Sequence, residues 1–347
     1  MHYNRTSVET PVAFLPPNII TSLELEERLA PTYDSIGLHA GRLELMTGIR
    51  ERRFWDHGTL PSTAAAEAGK SAIESAGLRP DQINCLINCS VSRDCVEPAT
   101  STFVHHLLNL SSDTLNFDIS NACLGVASGI LTLASMIEAG FIDTGLAVSG
   151  ENAEPLVNNT IEHLNHGQFT RQTIKPHFAS LTIGSCATAI IVRRSDQTAT
   201  GHRLFASAIA TDTSCNNLCK GDANGGMTDD STPLMQTDSP ELLQAGVKLA
   251  CTMWEKLKSE TDWEDNTPDL ICTHQVGKGH RSLLYEKLHL NLDKDYSTFP
   301  FLGNCGSASL TATLAMAAKE KEIAPKSNVA LLGIGSGINC CGLAIQW

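Results

Sequence analysis

Residues 114–135 read TLNFDISNACLGVASGILTLAS and describe a strand, a tight corner and the start of a helix. The segment 114–120 is a short, largely apolar run, which favours a strand. Small and aliphatic residues then fill 121–140, a composition that favours a long buried helix ending at Gly140. Cys123 stands at the corner between the two elements. Its thiol is therefore either a packed core group or a nucleophile at the start of a helix.

A second segment repeats this order further along the chain. Residues 297–320, STFPFLGNCGSASLTATLAMAAKE, predict a short approach, a Gly-rich corner and another long helix. Strands follow at similar intervals, since Val148 lies 25 positions after Cys123 and Leu331 lies 26 positions after Cys305. An internal repeat of this kind predicts a duplicated, layered α/β fold.

Strands and helices alternate through most of both halves, which we place at residues 1–195 and 196–347. Two polar stretches break the alternation, at 151–184 and 211–240. Long ordered loops often line an active site, but a surface insertion is an equally good explanation. Besides the two corners, helices are predicted at 63–78 and 101–110, strands at 83–91, 144–151, 187–194, 204–211 and 269–277, and a strand–turn–strand unit at 328–345.

The composition is that of a compact globular protein, with 42% hydrophobic, 18% charged and only 5% aromatic residues. The formal net charge is −13 and there is no basic tail, which argues against a nucleic-acid partner. No apolar run approaches the ~18–20 residues that a membrane helix needs. The N-terminal residues lack the apolar core of a signal peptide. We therefore expect a cytoplasmic protein with no membrane span.

The twelve cysteines are expected to be mostly free thiols in a reducing compartment. Cys85 and Cys89 are separated by three residues, as are Cys215 and Cys219. Neither pair has a matching Cys or His pair nearby, so the spacing predicts no metal site.

Three polar side chains stand beside glycine or other small residues at predicted junctions of strands and helices: Cys123, His274 and Asn304. A helix N-terminus would favour the thiolate of Cys123. An imidazole at the end of a buried strand can exchange a proton or donate a hydrogen bond. The amide of Asn304 can donate without being ionised. Together these groups suit acyl transfer, with backbone N–H groups binding the oxyanion.

Each of these residues also has a structural explanation. Free thiols are commonly packed in cores, and Asn beside Gly commonly forms a turn. The corresponding placement of the Cys123 and Asn304 corners in the two repeats favours the functional interpretation.

The same residues resemble the motifs of the thiolase superfamily, on the branch of β-ketoacyl-acyl-carrier-protein synthase III. Cys123 lies in NACLG, His274 in HQV and Asn304 in GNCGSAS, and residues 47–53, TGIRERR, match the family's N-terminal signature. The resemblance implies a duplicated five-layer α-β-α-β-α fold with mixed sheets. It also implies an oxyanion hole made by the N–H groups of Cys123 and Gly337, and no cofactor beyond coenzyme A thioesters as substrates.

A closer resemblance links the chain to the acyl-CoA-condensing enzymes of olefin biosynthesis. It is carried by LINCSVSRDCVEPAT (86–100), RLAPTYDSIG (28–37) and NNLCKG (216–221). These enzymes join two acyl chains in a Claisen condensation without decarboxylation. The resemblance implies a homodimer in which Glu97, 26 positions before Cys123, reaches the cysteine of the other subunit and removes an α-proton. A solvated surface acid is the alternative explanation of Glu97.

Two other functions stay open at this stage. A decarboxylating β-ketoacyl synthase III would depend on a malonyl thioester and would not need Glu97. A non-catalytic partner that only binds acyl chains would form no acyl-cysteine. The family's CoA-stacking Trp and the Arg before its TG signature are replaced here by Arg42 and Met46. The choice between CoA and acyl carrier protein as the second acyl carrier therefore remains open.

Overall fold

The computed structural model describes residues 1–198, 201–221, 234–274 and 276–347. Its helices are α1 Ser22–Arg28, α2 Ala30–Ile36, α3 Arg42–Thr47, α4 Pro61–Ser75, α5 Thr100–Leu107, α6 Gly125–Glu138, α7 Glu154–His166, α8 Ser239–Thr261, α9 Lys278–Lys287, α10 Phe299–Leu302 and α11 Ser309–Glu320. Its strands are β1 Thr6–Val8, β2 Val12–Phe14, β3 Asn18–Thr21, β4 Glu51–Phe54, β5 Cys85–Asn88, β6 Leu115–Asp118, β7 Thr144–Glu151, β8 Cys186–Arg194, β9 His202–Thr211, β10 Cys219–Gly221, β11 Met235–Thr237, β12 Leu270–Thr273, β13 Asn328–Gly335 and β14 Asn339–Gln346.

The strand order of the large sheet repeats within itself. In the first half, β5 is parallel to β6 and β7, and β7 is antiparallel to β8. In the second half, β12 is parallel to β13, and β13 is antiparallel to β14. Strand β1 pairs with both β8 and β9 and so joins the two halves. The duplicated, mixed-sheet fold predicted from the sequence is confirmed. The division at residue 195 stays a prediction.

Helices and strands form five layers. Helices α4 and α5 cover one sheet face in a cluster that includes Ala65, Val104 and Leu146. Helices α8 and α9 cover the opposite outer face. Between the two halves, α6 and α11 form a central layer, where Leu133 and Leu314 are fully buried. Because both faces of each half-sheet are covered, its strands read as nearly continuous apolar runs.

The predicted helix over 121–140 is interrupted at its start. Residues Ala122–Leu124 form a 3₁₀ turn, and α6 begins only at Gly125. Ala122 has a φ of 45°, in the left-handed region that breaks a regular helix. Cys123 therefore lies in the turn before the helix and not in its first α-helical turn.

The two irregular stretches differ in their structure. Within 151–184 lie α7 and two 3₁₀ turns, and the apolar face of α7 packs on the N-terminal helices α1 and α2 in one buried cluster. The stretch 211–240 contains β10 and β11, which pair as a hairpin, while residues 222–233 lie outside the described part of the chain. Among the described residues, no helix has the length and apolar content to cross a bilayer.

The hydroxyl of Ser307 links the two halves in the central layer. Ser307, in the turn before α11, donates to the carbonyl of Cys89 at 2.7 Å and accepts from the backbone N–H of Val126 at 3.1 Å. The approach is close because Gly125 has no side chain: a Cβ there would lie 2.0 Å from the Cys89 carbonyl oxygen. Ser307 thereby fixes the start of α6 against the start of α11.

We expect Ser307→Ala to lower the free energy of unfolding by about 1–3 kcal/mol, because it leaves a buried carbonyl and a buried N–H without their partner. Urea denaturation followed by circular dichroism measures the change. Ser135→Ala is the matched control, since that exposed hydroxyl on α6 donates only to the carbonyl of Leu131 within its own helix. Equal stability of the two variants would contradict the joining role of Ser307.

Candidate active site

The Cys123 turn is packed against the Gly-rich turn at the C-terminal end of β13. A Cβ on Gly335 would lie 3.2 Å from Cγ of Leu124 and 3.4 Å from the carbonyl oxygen of Asn121. The side-chain amide of Asn339 also donates to Oδ1 of Asn121 at 3.3 Å. Two turns from different halves of the chain therefore meet at the thiol.

Gly337 lies within this C-terminal turn, two residues before Asn339. Its φ of 127° is in the region that favours glycine. The hydrogen bond between Asn339 and Asn121 joins a residue two positions after Gly337 to one two positions before Cys123. The turn of the second predicted oxyanion donor is thus held beside the turn of the first.

His274 follows the last residue of β12 and is only 3% exposed. Its backbone N–H donates to the carbonyl of Leu332 on β13 at 2.9 Å, which places it beside the strand that leads to Gly337. Burial, with a smaller contribution from His280, lowers its pKa to about 3. The ring is therefore neutral near pH 7. Within the described part of the chain, its Nδ1 atom has no hydrogen-bond partner.

Asn304 is held with its amide oriented. Its backbone pairs with the 182–184 segment, since its N–H donates to Thr182 and its carbonyl accepts from Gly184. Its Oδ1 accepts from the N–H of Gly306 at 3.0 Å and from the hydroxyl of Ser309 at 3.5 Å. With Oδ1 engaged in this way, Nδ2 is the group that can donate to a substrate oxygen.

The Cys123 thiol is half-buried, and its proton is held more tightly than the sequence predicted. Burial first, then the negative charge of Glu151 and the nearby Cys219, raise its pKa to about 12, while a backbone hydrogen bond lowers it. The helix N-terminus therefore does not hold the thiol ionised in the free protein, and its part in activating Cys123 stays a prediction. The desolvation of the charged form outweighs the effect of the helix end.

Glu151 was not singled out in the sequence, yet it is the buried carboxylate of this site. It ends β7 and is 5% exposed. Its oxygens accept from the N–H groups of Val91 and Ser92 at 2.9 and 3.0 Å, and from the hydroxyls of Ser92 and Ser149 at 3.0 and 3.2 Å. An acid at the end of an otherwise apolar buried strand was the only signal in the sequence.

Glu97 is not part of this cluster within one chain. It lies on the segment between β5 and α5, and its side chain is exposed together with that of Val96. The structure therefore brings together the turns of Cys123 and Gly337 and places His274 at the neighbouring strand end and Asn304 before the central helix α11. It leaves Glu97 at the surface. Among the described residues, no group of three or more His, Cys, Asp or Glu side chains could hold a metal ion.

A duplicated five-layer fold with a cysteine turn, a buried neutral histidine and an oriented asparagine defines a condensing enzyme of the thiolase superfamily. The C-terminal domain family of 3-oxoacyl-[acyl-carrier-protein] synthase III matches residues 259–347. The chain is 36% identical to an acyl-CoA:acyl-CoA alkyltransferase of Shewanella oneidensis over 100% of both chains. It is 33% identical to that of Xanthomonas campestris over 95% of both. The chain belongs to the acyl-CoA:acyl-CoA alkyltransferase family.

Solved structures agree with this assignment. Crystal structures of the Xanthomonas campestris protein OleA superpose with a TM-score of 0.93 at 32% identity. One of them covers 100% of this chain and 98% of its own, and another, covering 99% and 100%, has lauric acid and lauroyl-CoA bound. Among the crystal structures of that protein are variants with a substituted cysteine, a substituted glutamate and a substituted histidine.

The raised pKa of Cys123 predicts how the free thiol reacts with pH. Because only the thiolate is nucleophilic, alkylation of Cys123 by iodoacetamide should accelerate about tenfold per pH unit from pH 7 to 10, with no plateau. Peptide mass spectrometry follows the modification, with the exposed Cys95 as an internal comparison and Cys123→Ser to assign the peptide. A plateau below pH 9 would mean that the free protein already holds the thiolate.

Proposed function

We propose that this protein joins two acyl-CoA molecules head to head by a non-decarboxylative Claisen condensation and releases a β-keto acid. The observation that supports the proposal is the contact between the Cys123 and Gly337 turns, in a chain of the alkyltransferase family that also has His274 beside β13 and Asn304 before α11. The reaction needs a nucleophile, an oxyanion site, donors for an enolate and a base.

In the first step, Sγ of Cys123 attacks the thioester carbonyl of one acyl-CoA. The N–H groups of Cys123 and Gly337 bind the oxyanion, an effect worth ~3–4 kcal/mol for one well-placed donor. The carbon–sulfur bond to CoA then breaks, and the proton of the Cys123 thiol passes to the departing CoA sulfur. A neutral imidazole has one unprotonated ring nitrogen, and we assign to His274 the relay of this proton as the carbon–sulfur bonds form and break, so that neither a free thiolate nor an imidazolium accumulates.

In the second step, Glu97 of the partner subunit removes an α-proton from the second acyl-CoA. His274 and the Nδ2 amide of Asn304 donate to the enolate oxygen. The α-carbon attacks the carbonyl carbon of the acylated Cys123, and the carbon–sulfur bond to the enzyme breaks. The proton held by Glu97 passes to Sγ of Cys123, and a β-ketoacyl-CoA forms. Water then cleaves this thioester, which gives the β-keto acid and the second CoA. No cofactor is required for any of these steps.

The surface around Glu97 supports a homodimer. Strand β6 is the edge of the large sheet, and exposed edges favour pairing with another chain. Large apolar side chains are exposed on and around this edge and the Glu97 segment: Val91, Val96, Phe103, Leu107 and Leu115. Contiguous exposed apolar surface commonly marks an interface. The glutamate and the cysteine that are substituted in the Xanthomonas crystal structures are 26 positions apart along the chain. Glu97 and Cys123 have the same separation.

A second candidate function is a decarboxylating β-ketoacyl synthase III that uses a malonyl-carrier protein. The match of residues 259–347 to the synthase III C-terminal family favours it. This reaction generates its carbanion by loss of CO₂ and so requires no α-proton base. It would leave the exposed position of Glu97 without a catalytic role.

Product analysis distinguishes the two functions. Purified protein given one long-chain acyl-CoA, with no malonyl thioester, should release two CoA for each β-keto acid or for the ketone that it decays to. Measurement of free thiol gives the amount of CoA released, and mass spectrometry gives the amount of β-keto acid or ketone. Acylation of Cys123 without condensed product until malonyl-carrier protein is added would instead establish the synthase III reaction. Absence of any acyl-cysteine would indicate a non-catalytic acyl-binding protein.

Paired variants test the roles of Glu97 and Cys123. Glu97→Gln should still form acyl-Cys123 but lose at least about 100-fold in condensation, since general bases contribute ~10²–10⁴-fold. Cys123→Ala should form no acyl-enzyme. A mixed dimer of these two variants should recover about half the wild-type activity, because one of its two sites has both groups when the base acts across the interface. Recovery of less than one tenth of the wild-type activity would contradict the action of Glu97 across the interface. Glu67→Gln, at an exposed position, is the control for loss of a surface carboxylate.

A further inference from the structure

The carboxylate of Glu151 binds the segment that leads to Glu97 and lies near two other parts of the proposed site. It accepts from the backbone at residues 91–92, and its Cδ atom lies 3.4 Å from the position that a Cβ on Gly306 would occupy, beside the Asn304 turn. Its charge acts on Cys123. No step of the proposed reaction employs Glu151 as an acid or base, and four donors already occupy its oxygens.

The segment that Glu151 binds leads directly to Glu97. We name residues 91–99 the Glu97 arm. Near its start, Ser92 also exchanges hydrogen bonds with the backbone of Asn152, so the arm begins on the end of β7. Of the arm's large side chains, Val96 is 62% exposed. With Val96 exposed in this way, the arm depends on hydrogen bonds for its position.

Two further carboxylates hold the rest of the arm. Asp118, at the end of β6, accepts from the N–H groups of Thr100 and Ser101 at 2.9 and 2.8 Å. Asp94, within the arm, accepts from the N–H of Ser62 at the start of α4 at 2.9 Å. Hydrogen bonds from N–H to a carboxylate are charge-assisted and roughly twice as strong as neutral ones. The arm is thus fixed at both ends and in its middle.

We infer that Glu151 is a positioning residue that holds the Glu97 arm of its own subunit in place for the reaction at the cysteine of the other subunit. The inference rests on the proposed function, and specifically on Glu97 acting across a dimer. Each Glu151 then lies beside the Cys123 thiol of its own subunit but positions the base for the reaction in the partner subunit. A displacement of about 1 Å at a catalytic group can reduce the rate by ~10²-fold.

Mixed dimers separate the effect on the arm from the effect on the adjacent thiol. In the reference dimer, one subunit carries Cys123→Ala and donates the arm, and the other carries Glu97→Gln and provides the thiol. Glu151→Gln is then added to the arm-donating subunit or, in a second dimer, to the thiol-providing subunit. Different affinity tags on the two subunits allow each mixed dimer to be purified.

With Glu151→Gln in the arm-donating subunit, condensation should fall about 10-fold to 100-fold. The initial release of CoA on acylation, and the KM for acyl-CoA, should not change, because the thiol in use keeps its own Glu151. A general loss of structure would instead lower the CoA release on acylation as well as the condensation rate. Asp118→Asn in the same subunit should lower the condensation rate in the same way, because Asp118 holds the other end of the arm. This variant tests the inference if Glu151→Gln does not fold.

Glu138→Gln is the matched control. That carboxylate also accepts from a backbone N–H and a hydroxyl, those of Arg5 and Thr6, but it holds the N-terminal strand and not the arm. An unchanged condensation rate with both arm-side substitutions would overturn the inference and leave the proposed function intact. An inactive reference dimer would overturn the action of Glu97 across the interface, and the inference with it.

Discussion

The Ser307 hydroxyl, held between the Cys89 carbonyl and the Val126 N–H, is the contact on which the site depends. Asn304 precedes Ser307 by three residues, and Cys123 precedes Val126 by three. This side chain therefore links the nucleophile turn to the amide turn, although they belong to different halves of the chain. Gly125 at the start of α6 follows from this contact, because a Cβ there would lie 2.0 Å from the Cys89 carbonyl oxygen and 2.8 Å from Oγ of Ser307.

The repeat was enough to predict the fold, because each half had to bury two apolar faces and only a layered arrangement does so. The strand predicted at 144–151 has those bounds in the structure. The 3₁₀ turn at Ala122–Leu124 was not predictable, since alanine favours helices and its left-handed φ is imposed by the surrounding packing. The helix α7 within 151–184 was missed because polar residues alternate there with only a few apolar ones.

Residue type at the ends of strands and helices was enough to propose the site residues, but it did not predict their electrostatics. A helix end stabilises a nearby charge by ~0.3–1 kcal/mol, less than one pKa unit. Burial and Glu151 act in the opposite direction and raise the pKa of Cys123 to about 12. Neither effect can be read from the sequence, because both arise from segments that are distant along the chain. Glu151 itself was missed for the same reason, since its donors lie about 60 positions away at Val91 and Ser92.

The arrangement of charge explains why a base from a second subunit suits this chemistry. Acylation converts a neutral thiol and a thioester into a neutral thioester and a neutral CoA thiol, so the first step leaves no net charge in the site. Burial raises the pKa of the Glu151 carboxyl, which disfavours its ionised form and so weakens its repulsion of a second carboxylate near the same thiol. Glu97 lies in water on the free chain. A base supplied by the partner, on an arm held by its own anchors, therefore meets an acylated thiol that carries no charge and a Glu151 carboxyl whose ionised form is disfavoured.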